Sequence, residues 1–146
     1  MPTLLALAVL PAVVVYLAFR TWYGSIPPVP PTAAFTLFGL AVAELFLAPS
    51  VRARLEGRPR TKPILPLTVA RTAALAKASS TLGALAAGCW VGVLAYAGFR
   101  LELPYARRDA VRAALGLAAS LLLVVAALRL ERVCRVPDPP PAEPGP

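Results

Sequence analysis

Four apolar runs, at residues 3–19, 32–48, 78–99 and 113–128, alternate with short polar, basic or proline-rich segments, and Glu44 is the only charged residue inside any of them. The run at 78–99 has 22 residues and no charge. At about 1.5 Å of rise per residue it is roughly 33 Å long as a helix, enough for a hydrocarbon core of about 30 Å. Arg71 and Lys77 precede this run on what reads as one continuous helix starting at Pro66, a basic foot that belongs among anionic headgroups.

The other runs predict three more spans. Residues 3–19 make about 26 Å of helix, with Pro11 in the middle. A cleaved signal peptide is the competing reading, but no Lys or Arg precedes the apolar run and no small-x-small cleavage site follows it. Span two covers about 32–48 and is expected to close at Pro49, after which Ser50 would cap a short turn of helix ending at Gly57. Span four covers about 110–131. Its uncharged core at 113–128 is short, so Arg112 and Arg129 are expected to snorkel at its two ends. The segment 100–105 between spans three and four is short enough to force an antiparallel pair. Residues 26–31 form a proline-rich connector, and the proline-rich tail at 138–146 has too little apolar content to fold. The expected architecture is all-α, an integral membrane four-helix bundle. It has a long third helix with a basic cytoplasmic extension and a disordered C-terminal tail.

Composition agrees with the pattern: 58% of the 146 residues are hydrophobic, only 15% are charged, and the mean hydropathy is +0.70. The net charge of +8 raises nucleic acid as a partner, but basic residues between apolar spans are what orients a membrane protein, and no soluble module remains to read a nucleic acid. Ten of the Lys and Arg residues fall on the side holding both termini and the central loop, against five on the other side. The expected topology is therefore a multi-pass protein of a bacterial plasma membrane with N- and C-termini in the cytoplasm. Trp22, Tyr23, Tyr96, Phe99 and Tyr105 would form an aromatic girdle at the outer interface.

Candidate chemistry is sparse. The chain has no His, and no nucleophile paired with a base, carboxylate pair or phosphate-cradling Gly loop stands out, so neither catalysis nor a cofactor or metal site is expected. Cys89 and Cys134 have no metal-ligand spacing; Cys134 falls where acylation or a redox contact competes with a plain interfacial thiol. Glu44 is the main candidate, because a carboxylate inside a span costs a few kcal/mol at the bilayer centre and calls for a partner. Lys77 and Arg71 fall near the same depth, so an interhelical ion pair is expected, with a proton- or cation-coupled site as the alternative. Arg52, Arg54, Arg58, Arg60 and Lys62 form a basic cytoplasmic loop that serves retention on the inner side or contact with anionic lipid. Ser80, Ala84, Gly88 and Gly92 repeat every four residues on helix three, and Ala110, Ala114 and Ala118 do the same on helix four. They predict a close helix three to helix four seam, with homodimerisation through Gly88 and Gly92 as the competing use.

Several strings together resemble a known family: YGSIPPVPP at 23–31, AVAE at 41–44, RPRTKPILPLTVARTAALAKAS at 58–79, GCWVGVLAY at 88–96, RRDA at 107–110 and LERVCRVP at 130–137. The chain is similar, over nearly its whole length, to an uncharacterised family of small actinobacterial membrane proteins classed as a domain of unknown function. That resemblance implies four spans and genes that often stand beside folate-biosynthesis genes; it carries no catalytic residues. The function expected is a non-enzymatic accessory or scaffold in contact with membrane lipid and with another membrane protein or a second copy. The alternative is a small proton- or cation-coupled transporter subunit using Glu44.

Overall fold

In a computed structural model of the chain, the described residues are 2–22, 32–55 and 66–134. Every element among them is an α-helix: α1 Pro2–Trp22, α2 Thr32–Leu55, α3 Pro66–Gly98 and α4 Pro104–Cys134. All four are long and apolar enough to cross a membrane. The start of α3 at Pro66 follows the sequence expectation, since a proline at the first helical position sacrifices no needed N–H and presets φ. The proline-rich connector, the basic residues Arg58, Arg60 and Lys62, Tyr23 and the C-terminal tail lie outside the described residues.

The second helix departs from its expected end. Pro49 lies inside α2, which continues to Leu55. Proline removes one backbone donor, a loss a membrane helix tolerates where neighbouring groups take up the freed carbonyls. Ser50 does not cap a new helix; its Oγ donates to the Phe46 carbonyl at 3.1 Å, one turn back in the same helix. Arg52 and Arg54 are therefore helical residues on the last turn of α2.

Packing follows an open row. α1 packs on α3, α3 on α4 and α4 on α2, while α2 touches α3 only slightly. Among the described residues α1 and α2 do not meet, so the square of a closed four-helix bundle lacks one side. The α3–α4 pair is antiparallel: Gly83 faces Ser120 and Val124, whereas Trp90, further along α3, faces Gly116, earlier on α4. The intervening turn is closed by Arg100 N–H to the Ala97 carbonyl and Leu103 N–H to the Arg100 carbonyl, both at 3.0 Å. Two apolar clusters lie toward opposite ends of the helices, each joining α3 and α4 to one of the flanking helices. One joins Phe19, Trp90, Val93, Tyr96 and Ala113; the other joins Ala48, Val51, Ala76, Leu130 and Cys134.

At the glycines α1 meets α3 at offsets of 76 to 80 residues, Gly88 against Ala8 and Pro11 and Gly92 against Ala12, Val15 and Tyr16, the closest atom in each case coming from the residue offset by 80. Shifting the sequence on itself by the same amount aligns VVVYLAFR at 13–20 with VLAYAGFR at 93–100, which share V-x-x-Y-x-x-F-R. The two helices pack side by side and parallel, within about one turn of the register in which this short repeat aligns. The repeat is not symmetric in burial. Phe19 is 8% exposed and packs edge-on against the Tyr96 ring, with centroids 5.9 Å apart, while its counterpart Phe99 is 88% exposed.

Candidate functional site

The C-terminal half of α2 turns one face toward the other helices, with Ala41, Glu44, Ala48 and Val51 buried at steps of three and four residues. Alanines there let the helices approach closely, which also shuts Glu44 off from the exterior of the protein: it is 2% exposed. Neither of its carboxylate oxygens has a hydrogen-bond partner. The Ser79 hydroxyl of α3 is the polar side chain that bears on the carboxylate, but it does not reach hydrogen-bond geometry. Two other buried hydroxyls are turned onto their own backbone. Ser80 donates to the Lys77 carbonyl at 2.9 Å, and Ser120 to the Gly116 carbonyl at 2.7 Å.

The ion pair expected between Glu44 and Lys77 or Arg71 is not formed. Both basic residues are exposed on α3. Lys77 instead lines a cavity of about 270 Å³ with Ala73, Ala74, Glu131 and Cys134. The physical reason is azimuth. Ala76 is the α3 residue buried with Ala48 and Val51 of α2, and the next residue points about 100° away around the helix. Depth along the span matched, but direction did not. An uncompensated carboxylate in such a place costs several kcal/mol.

The small-residue seam also has a different partner from the one expected. A methyl at Gly88 would meet the backbone of Ala8, with the carbonyl carbon at 2.8 Å, and one at Gly92 would stand 2.5 Å from the Ala12 oxygen. Both glycines therefore seat α1. The α3–α4 interface uses Gly83 and Trp90 on one side and Ala113, Gly116 and Ser120 on the other, while Ala114 and Ala118 are exposed and Ala110 is half-buried. Ser80 and Ala84 are buried.

At the other end of the helices, beside the α3–α4 turn, Arg100 lies over the Tyr96 ring, 4.4 Å from its centroid, and donates to the Tyr96 hydroxyl. This removes Tyr96 from the expected aromatic girdle, since it is buried, while Trp22, Phe99 and Tyr105 remain exposed. The Tyr96–Arg100 contact and the Phe19 ring packed on it were not singled out by the sequence reading; the repeated Y-x-x-F-R string was the signal that would have found them. Both cysteines are free, and Cys134 is buried in the cluster with Ala48, Val51, Ala76 and Leu130. Among the described residues no three His, Cys, Asp or Glu side chains gather into a metal site.

Four apolar helices, an interior of alanine, glycine and a few hydroxyls, and one isolated carboxylate define the class: an α-helical multi-pass membrane protein. The chain belongs to the family of proteins of unknown function designated DUF3180, whose model matches residues 4–138. No curated protein matches the chain, and no solved structure does.

Proposed function

We propose that this is a non-enzymatic accessory or scaffold protein of the bacterial plasma membrane, with both termini cytoplasmic, that assembles with another membrane protein or with a second copy of itself. The observation that carries the reading is the missing α1–α2 side of the row. Each of these helices has one main intramolecular neighbour and leaves large apolar side chains on the outside, Leu5 and Leu10 on α1 and Phe35 and Phe46 on α2. Surfaces of this kind suit helix–helix association in a bilayer as well as contact with lipid. The excess of Lys and Arg on the side of the termini supports the orientation. Crosslinking in native membranes followed by affinity purification in mild detergent tests the proposal. A stoichiometric partner or dimer is expected; a monomer with no partner captured overturns it.

A second reading rests on Glu44. A buried carboxylate without a partner suits a small transporter subunit coupled to protons or a cation. That reading requires ligand binding to release or take up protons in the intact protein and to lose this linkage in Glu44→Gln. A scaffold shows no such linkage.

A further inference from the structure

Two cavities on the outer flank of α4 share one arginine. The first, about 510 Å³, is a groove between α2 and α4 closed at the back by Trp90, and its walls are apolar, among them Phe35, Phe38, Leu115, Ala118 and Leu122. Arg112 is the charged residue that lines it. The second cavity, about 620 Å³, lies at the first turns of α4 and is lined by Arg107, Arg108 and again Arg112, with Glu102 as its acidic member. Asp109 lies on the same turns as the arginines, so the mouth carries three positive charges against two negative ones.

We propose that the groove and the mouth, which meet at Arg112, together bind one anionic phospholipid of the bilayer, its acyl chain along α4 between Phe35, Phe38 and Leu122, its phosphate at Arg107, Arg108 and Arg112. Length argues for a lipid chain. From Arg112 to Leu122 the groove follows ten residues of α4, about 15 Å by helical rise, which is the depth of one leaflet of a hydrocarbon core about 30 Å thick. Polarity argues for the same occupant: an apolar channel that ends in a cluster of guanidinium groups complements an apolar tail that ends in a phosphate. Access is lateral, because Phe35, Phe38 and Leu115 are exposed on the lipid side. The volume lies within the range of about 300–1,000 Å³ usual for small-molecule sites.

The test is native mass spectrometry of the full chain released from detergent doped with phosphatidylglycerol or with phosphatidylcholine of identical acyl chains. The intact protein is expected to retain the anionic lipid at least fivefold better, the factor that corresponds to about 1 kcal/mol for one basic residue near a membrane surface. Arg107→Gln with Arg108→Gln changes exposed residues only and should abolish the preference while leaving helicity unchanged by circular dichroism. Arg112→Gln should do the same, and Arg112→Lys should keep most of it. Ala118→Trp fills the groove and should lower retention of both lipids. Equal retention of the two lipids by the intact protein overturns the proposal. So does a preference that survives loss of the arginines, or anionic lipid that remains bound to Ala118→Trp.

Discussion

Replacing Glu44 by an apolar side chain of similar length should make the protein more stable. Both carboxylate oxygens are buried and without hydrogen-bond partners, and Lys77 is turned away to the flank of α3. Removing one partner of a buried ion pair costs about 3–5 kcal/mol, whereas replacing buried polar groups that lack good compensation by packed apolar ones gains about 1–4 kcal/mol. Glu44→Met keeps the unbranched shape and fits between Ala41 and Ala48, so a gain of about 1–3 kcal/mol is expected. Glu44→Gln keeps a polar group that still lacks a partner and should gain less. Lys77→Met, at an exposed position, should change stability by no more than about 0.5 kcal/mol. Reversible unfolding in mixed micelles of wild type, the two single variants and the double variant completes a cycle. The expected coupling between positions 44 and 77 is below about 0.5 kcal/mol. Destabilisation by Glu44→Met, or a coupling well above that bound, would refute the reasoning and restore the ion pair.

Other outcomes follow from the same geometry. Gly92→Ala pushes a methyl toward the Ala12 oxygen and should cost about 1–3 kcal/mol by overpacking, read by the same unfolding assay. Gly39→Ala, where nothing stands within 4 Å, should be neutral or gain up to about 1 kcal/mol from helix propensity. Gly116→Ala drives a methyl into the Trp90 indole, with Cζ2 at 2.7 Å, and combining it with Trp90→Leu should cost less than the two losses added together. Tyr96→Phe removes the hydroxyl that accepts from Arg100 while leaving the ring under the guanidinium, so it should cost about 0.5–1.5 kcal/mol in thermal or denaturant unfolding, less than Tyr96→Leu.

The number and approximate extent of the helices were legible because apolar runs bounded by basic and proline-rich segments report directly on spans. The end of α2 was not. Proline stops a helix in water more reliably than in lipid, where Pro49 could be absorbed and α2 could run on to Leu55. Partner choice was the weakest part, and for a physical reason. A span that is apolar on every side has no polar face to mark which way it turns, so the spacing of Gly88 and Gly92 named a surface open to close approach without naming α1 as its occupant. The same ambiguity misled the reading of Glu44, whose depth was right and whose azimuth relative to Lys77 was not. Information on the neighbour was nonetheless present in the chain. The V-x-x-Y-x-x-F-R string at 13–20 and 93–100 is shared by α1 and α3, and these two helices pack parallel within about one turn of the register in which it aligns.

The claim that most of this rests on is that α1 lies parallel to α3, seated on its glycines within a single chain. Replacing Val15, which is half-buried beside Gly92, with a diazirine-bearing methionine leaves those glycines intact and places a short-range photoreactive group at the interface. After irradiation in native membranes containing a mixture of light and isotopically heavy chains, mass spectrometry locates the insertion. The account predicts insertion into the α3 peptide around Gly92 of the same chain. Insertion into α4 near Ala114 and Ala118, or into a chain of the other isotopic label, would contradict it.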